Sequence, residues 1–279
     1  MDANWRALNR ANWDERVPIH LGPRGYDLSS QRAGRGRLDA IVEAELGLVA
    51  GMRVLHLQSH LGDDSIALAQ RGAAEVVGVD FSPAAVAAAT ALAAECGAPN
   101  ARFVLSDVLE APAALPDEAA RFDLVFTSWG TVCWLPDIAA WARSVAFFLK
   151  PGGALYFADA HPLIRCFDAP DGRLDEAGRP LPVIPYFERA PLHFDDATDY
   201  MDAAARLANT RTVEWMHTLS DILGALREAG LRLDWLREHP RIAWRMFPNL
   251  VRDAEGMWTW PDRPWLPLAV SFRAVRDGG

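Results

Sequence analysis

The sequence predicts a doubly wound α/β fold, and three observations predict it. Between Arg53 and Asp159, five short apolar runs alternate with helical patterns. Proline, serine and glycine punctuation brackets the helical stretches. The chain is 279 residues long and 51% hydrophobic, enough to cover a sheet on both faces. Such alternation implies right-handed crossovers and a mostly parallel, Rossmann-like sheet with helices on both faces.

The runs are Arg53–Gln58, Glu75–Asp80, Ala101–Ser106, Phe122–Thr127 and Gly153–Ala158. Each is short and largely apolar, as suits a strand buried on both sides. Ser82 reads as an N-cap with Pro83 at the first helical position, and Gly97 follows the last turn. Asp63 or Asp64 is expected to cap the preceding helix, which stops at Gly72. Pro136 opens a further helix carrying Trp141, Val145 and Phe148, which ends before Pro151-Gly152-Gly153.

The flanks differ from this core. Residues 1–50 read as an N-terminal helical cap: Leu38, Ile41, Val42 and Leu46 form an apolar stripe that Gly47 stops, and Gly22 to Gly36 is a loop. Residues 51–161 form the ligand-binding core. Residues 162–212 are rich in Pro, Asp and Gly, with turn signals at Asp171-Gly172 and Ala177-Gly178. A segment of that length between ordered elements reads as a lid inserted after the fifth strand. Residues 213–279 return to the core sheet, with a helix over Ser220–Ala229, a strand over Leu231–Glu238 and an antiparallel last strand over Trp265–Val275.

Composition narrows the partners. The formal net charge is −9, which repels nucleic acid and anionic membrane and favours a small-molecule substrate. Lys150 is the only lysine, so arginine is the default cation and an isolated one is weak evidence for an anion site. Cys96, Cys133 and Cys166 fit neither a disulfide framework nor a zinc knuckle, and no cluster has metal-ligand spacing, so no metal is expected. No apolar run approaches the roughly 20 residues of a membrane span, and Met1 to Arg10 carries no secretory apolar region. A cytoplasmic protein is expected.

A nucleotide-like ligand on such a sheet belongs at the carboxyl ends of the strands. The first strand leads into Gln58-Ser-His-Leu-Gly62, and Asp80 ends the second, 18 residues after Gly62. A carboxylate there can accept both hydroxyls of a ribose. Asp107 ends the third strand, where it can accept from an exocyclic amine, and Phe81 can lie against a purine face. Singly, Asp80 before Ser-Pro is ordinary helix-start chemistry, Asp107 a solvated acid and Phe81 a core residue. Together, at consecutive strand ends, they point to a nucleoside.

Six further stretches carry a resemblance. They are Val77-Gly-Val-Asp-Phe-Ser-Pro83, Phe122-Asp-Leu-Val125, Trp134-Leu-Pro136, Leu149-Lys-Pro-Gly-Gly153, Asn12-Trp-Asp-Glu-Arg16 and His217-Thr-Leu-Ser220. With them the sequence resembles the class I S-adenosylmethionine-dependent methyltransferases, well over 52–159 and more loosely elsewhere. It looks like a small-molecule subgroup whose first motif has the Leu-His-Leu-Gln form. It departs from the wider family in having His56 where an acid is expected and Gln58 and His60 where glycines are expected, keeping Gly62.

The resemblance implies S-adenosylmethionine as cofactor. Gln58 and Ser59, with Gly62, would line the methionine end through backbone groups. Asp80, with Ser82 beside it, would hold the ribose, Phe81 would touch adenine, and Asp107 and Val108 would meet its amine. Ser128 and Trp129 would lie beside the sulfonium. Trp13, His20 and Tyr26 would close over the cofactor from the N-terminal segment. Thr127-Ser-Trp-Gly130 lacks the Asn/Asp-Pro-Pro-aromatic signature of nucleic-acid amino-methylating enzymes. If the acceptor's nucleophile carries a proton, His161 just past the fifth strand is the first candidate base, His217 the second, and Tyr26 a further catalytic candidate; His193 and His239 read as surface or structural. Among eleven tryptophans, some after the lid can form an apolar wall. Two rival readings remain. An NAD-dependent oxidoreductase shares the ribose-binding acid, but its G-x-G-x-x-G turn would here retain only Gly62. A non-methylating S-adenosylmethionine-binding protein would share every motif.

Overall fold

The computed structural model describes residues 4–167, 174–176 and 178–278; the turn expected at Asp171-Gly172, Ala177 of the second turn and Met1–Ala3 lie outside the described residues. Helices α1 (Trp5–His20), α2 (Ser29–Arg32) and α3 (Ala40–Glu45) come first. Strands β1 (Arg53–Leu57), β2 (Glu75–Asp80), β3 (Ala101–Leu105), β4 (Phe122–Ser128) and β5 (Leu149–Ala160) then alternate with helices α4 (Asp63–Gln70), α5 (Pro83–Glu95), α6 (Ala111–Ala114) and α7 (Ile138–Phe148). After β5 come β6 (Leu192–Asp195), β7 (Arg211–Glu214), α8 (Leu219–Glu228), β8 (Leu231–His239), β9 (Arg241–Ile242), β10 (Val251–Arg252), β11 (Trp258–Thr259) and β12 (Ala269–Arg276).

Seven strands form one sheet in the order β3-β2-β1-β4-β5-β12-β8. Strands β1 to β5 pair in parallel, while β12 runs antiparallel to both neighbours, β5 and β8. This is the expected doubly wound, Rossmann-like sheet with its antiparallel last strand. One face packs Trp141, Val145 and Phe148 of α7 and Ile222 of α8 on Phe157 and Phe272. The other packs Ile66 and Leu68 of α4 and Leu92 of α5 on Val54, Phe126 and Tyr156. None of the described helices is long and apolar enough to cross a membrane.

Several boundaries differ from expectation for local reasons. Helix α4 is capped by neither Asp63 nor Asp64: Gly62 holds the N-cap at φ 70°, and the two acids form the first turn. A β-carbon at Gly62 would stand 2.3 Å from Phe103 Cε1. Gly62→Ala is therefore expected to cost roughly 2–5 kcal/mol, from left-handed strain plus overpacking, and to lower the thermal midpoint; an unchanged midpoint would refute this account. Helix α7 starts two residues past Pro136, at Ile138, with Asp137 as the N-cap accepting from the Ala140 N–H. The Gly22–Gly36 loop contains the short α2. The final strand begins at Ala269, not Trp265, because Pro264 and Pro267 lack the N–H a ladder needs.

The segment between β5 and α8 is partly ordered. Strands β6 and β7 form an antiparallel hairpin. Helix α1 grips it with polar side chains. Asn9 donates to the Val213 carbonyl and accepts from its N–H, both at 2.8 Å. Glu15 accepts from the N–H groups of Ala208 and Asn209 at 2.7 and 2.8 Å. The stretch from β9 to β12, read from sequence only as tryptophan-rich packing, folds a small sheet in the order β10-β11-β9. It packs Phe247, Trp260 and Leu268 on Ile164, just past β5.

Candidate active site

The carboxyl ends of β1, β2 and β4 converge on a turn with unusual backbone. Gln58, His60 and Trp129 lie at φ 59°, 45° and 53°. Left-handed conformation at bulky residues costs of order 1–3 kcal/mol each and clusters at functional sites. The glycines expected at 58 and 60 are thus replaced by residues that keep the glycine-like backbone.

Each predicted cofactor residue has a defined place. The Asp80 carboxylate is buried and accepts from the His60 N–H at 2.8 Å and the Ser82 N–H at 2.9 Å. Burial pushes its pKa up to about 6 against the pull of those N–H groups. Ser82 caps α5 and also donates to Asp14 of α1. Ser59 donates its N–H to Val79 and accepts from Gly62, so its backbone is committed to the turn. Gln58 Nε2 donates to the Thr131 carbonyl at 2.9 Å, and its buried Oε1 has no partner among the described residues. Asp107 accepts from Leu109 N–H at 2.8 Å and from Arg6 Nε at 2.6 Å, so a residue of α1 stands where the adenine amine was expected. Val108 is buried beneath, and Phe81 is half-buried. His56, in the acid's place, bonds Ser65 and is driven by burial to a pKa of about 3, hence neutral.

At the end of β4, Ser128 donates to Asp64 at 3.0 Å, and Trp129 Nε1 donates to Asp39 at 2.6 Å. Burial raises the pKa of Asp63, Asp64 and Asp39, and Asp63 adds to the rise at Asp64. Three acids therefore stand close to the β1 turn, with Arg71 and His20 opposing only part of the rise at Asp64 and Asp63. Sequence reasoning missed Asp39 and Asp64 as partners of Ser128 and Trp129, having read Asp64 only as a possible cap.

A layer of rings covers the turn. His20, which closes α1 rather than sitting in the following loop, approaches His60 at 2.7 Å and Asp199 at 3.0 Å. Trp13 packs edge-on to His60 and Trp134, with centroids 5.1 and 5.4 Å away. Tyr26 shares a hydroxyl hydrogen bond of 2.5 Å with Tyr200. Trp13, His20 and Tyr26 are thus brought together. Their partners Asp199 and Tyr200 lay in a stretch whose only sequence signal was turn composition.

The two candidate bases part ways. His161 Nδ1 accepts from the Leu163 N–H at 3.1 Å, so its proton is on Nε2, which lies 3.1 Å from Glu238. That arrangement leaves no ring lone pair for a substrate. His217 lines a small, partly open pocket with Gly130, Pro162, Arg165, Trp215 and Trp244. His239 bonds Ser271 at 2.8 Å, in keeping with a structural role. A larger, shallow groove with Arg35, Arg37 and Arg71 sits at the far end of α4 and holds none of the predicted site residues.

Residues 54–153 match a family model described as a methyltransferase domain. No curated protein matches the sequence. An S-adenosylmethionine-dependent methyltransferase structure from Listeria monocytogenes is 18% identical, with TM-score 0.62, covering 88% of this chain and 99% of that one. One from Mesorhizobium loti is 20% identical, with TM-score 0.55, covering 85% and 96%. The cyclase SpnF is also similar, at 15% identity and TM-score 0.52, covering 96% and 94%. Residues 54–153 thus match a methyltransferase domain, and the chain as a whole shares the fold of S-adenosylmethionine-dependent methyltransferase structures.

Proposed function

We propose that the protein transfers a methyl group from S-adenosylmethionine to a small-molecule acceptor. The observation that carries this reading is the electrostatics of the strand-end turn. A buried acceptor, Asp80, stands where a ribose would sit, and Asp63, Asp64 and Asp39 gather near the start of α4. A dinucleotide's pyrophosphate would meet those carboxylates and the Gln58 and His60 side chains instead of bare amides. A ligand with an ammonium and a sulfonium is favoured there and would draw the acids back to their charged forms. The donor set fits S-adenosylmethionine and not NAD.

The cofactor supplies an already activated methyl group. The protein's part is alignment and exclusion of water. Asp80 and Asp107 would orient the nucleoside, with Arg6 giving way at Asp107. Ser128 and Trp129, pinned by Asp64 and Asp39, would shape the methionine side. Residues 1–50 act as a helical cap and 162–212 as the lid over the core 51–161, with 213–279 completing the sheet. Positioning of this kind can supply roughly 7–11 kcal/mol of the barrier. The structure of SpnF, named a cyclase on the same fold, keeps a non-methylating reading as the second possibility.

Calorimetry tests the reading. S-adenosylmethionine and S-adenosylhomocysteine are expected to bind without added metal. Binding of NAD in their place would overturn it.

A further inference from the structure

Arg6 occupies a place that a ligand would need. It stands in the first turn of α1, where no acidic residue balances it. A cation at that end opposes the helix dipole, so α1 by itself does not hold the guanidinium there. The partners that do hold it are Asp107, Glu110 and Trp5. Arg6 Nε donates to Asp107 Oδ2 at 2.6 Å, Nη2 lies 3.4 Å from Glu110, and the guanidinium carbon stands 4.7 Å over the ring of Trp5.

The two members of the ion pair differ in freedom. The Asp107 side chain is 8% exposed and that of Arg6 43%. Asp107 Oδ1 accepts from the Leu109 N–H at 2.8 Å, which fixes the carboxylate on the loop after β3 and leaves Oδ2 for a partner. The backbone that carries Arg6 is fixed as well. Trp5 is buried and packs edge-on to Trp215, with centroids 5.2 Å apart. One turn further on, Asn9 exchanges two hydrogen bonds with Val213, and Asp14 accepts from Ser82 at the start of α5. The part of this contact free to move is therefore the Arg6 side chain alone, which already reaches toward the exposed Glu110.

We propose that Arg6 is a latch that sets specificity at the purine end of the site: its guanidinium competes with the exocyclic amine of an adenosyl ligand for Asp107 Oδ2, and swings out toward Glu110 when that ligand enters. This rests on the methyl-transfer reading above. Guanidinium and amine are both donors, so they compete for the acid and cannot bond to each other. A 6-oxo purine is the converse case: its carbonyl is repelled by Asp107 and can accept from Arg6 where it stands. The contact is at the purine and not at the sulfonium, so it weakens S-adenosylmethionine and S-adenosylhomocysteine alike. A weaker hold on the product speeds its release after transfer.

Arg6→Ala removes the donor and keeps a strong helix former in an exposed first turn. By calorimetry at about 50 mM salt, S-adenosylhomocysteine is expected to bind the variant roughly fivefold tighter than the wild type, the upper range for a half-exposed ion pair. Raising the salt to about 500 mM screens the pair, so the difference should shrink to less than about twofold. S-inosylhomocysteine, the 6-oxo analogue, is expected to move the opposite way and bind the variant more weakly than the wild type. Equal or weaker binding of S-adenosylhomocysteine by the variant, a gain that salt leaves unchanged, or a shift of both ligands in one direction would each overturn the latch. The same titrations separate the two readings: wild-type binding of S-adenosylhomocysteine with no gain in Arg6→Ala removes only the latch, and binding to neither protein removes the methyl-transfer reading.

Discussion

Asp80→Ala is expected to abolish S-adenosylhomocysteine binding while leaving the sheet folded. The carboxylate lies at the end of β2, so its loss does not touch the strand ladder. It does leave the His60 and Ser82 N–H groups without their acceptor. Charge-assisted hydrogen bonds of this kind are worth about 1.5–3 kcal/mol each, so losing the ribose contacts alone predicts at least tenfold weaker binding. The release of His60 from the turn adds to that loss. The pKa near 6 gives a second signature. A folded-state pKa above the unfolded value means the native state holds its proton more tightly. Asp80 therefore favours folding most below its unfolded pKa, near 3.9, and that contribution fades as pH rises through about 6. Ribose hydroxyls need the ionised form, so cofactor affinity should run the opposite way and weaken as pH falls below about 6. Asp80→Asn should remove this pH dependence. Wild-type affinity in Asp80→Ala would reduce Asp80 to a helix-start residue.

The parts of this architecture that follow from periodicity were legible in the sequence. Strands β1 to β5 stand near where the apolar runs put them, because strands buried on both faces have to be continuous apolar stretches. Ser82-Pro83 marked α5 because capping chemistry is local. Asp80, Asp107 and Ser128 fell at strand ends for the same reason. What sequence could not supply is the pairing between distant segments. Nothing local says that Arg6 meets Asp107, that Asp64 accepts from Ser128, or that His161 turns Nδ1 to the Leu163 N–H and Nε2 toward Glu238. The small sheet after β8 escaped because two-residue strands have no periodicity to read. Trp244 gained its place at the cavity only through that sheet's folding.

Asp199→Ala is expected to release the lid from α1. Asp199 is 4% exposed and accepts from Arg16 at 2.8 Å, from His20 at 3.0 Å and from the N–H groups of Met201 and Asp202. It therefore joins the turn over His60, the helix and the lid in one clasp. Burial alone would raise its pKa, but the His20 hydrogen bond and charge and the two N–H groups outweigh burial and bring it to about 2. A depressed carboxylate pKa stabilises the fold fully above the unfolded value, near 3.9, and the stabilisation is lost as pH falls through about 2. The clasp accordingly holds throughout the neutral range, and only a substitution opens it there. Removing one partner of a buried ion pair typically costs about 3–5 kcal/mol, because the remaining charge stays desolvated. Here Arg16 and His20 would be left facing an apolar methyl group. Tyr26 with Tyr200 and Arg24 with Asp202 stay in this stretch at the exposed surface, while Glu15 with Ala208 and Asn209 lies toward the hairpin, so opening should centre on residues 196–206, where Asp199 is the buried contact. A loss of about 3 kcal/mol corresponds to roughly 10²-fold faster amide exchange in that stretch, while β1 to β5 keep wild-type protection. The same variant should weaken S-adenosylhomocysteine binding less than Asp80→Ala does, because it frees the cover and leaves the ribose acceptor in place. Wild-type exchange across residues 196–206 would show that Tyr26, Arg24, Glu15 and the hairpin hold this segment by themselves, and that the Asp199 clasp adds nothing to closure.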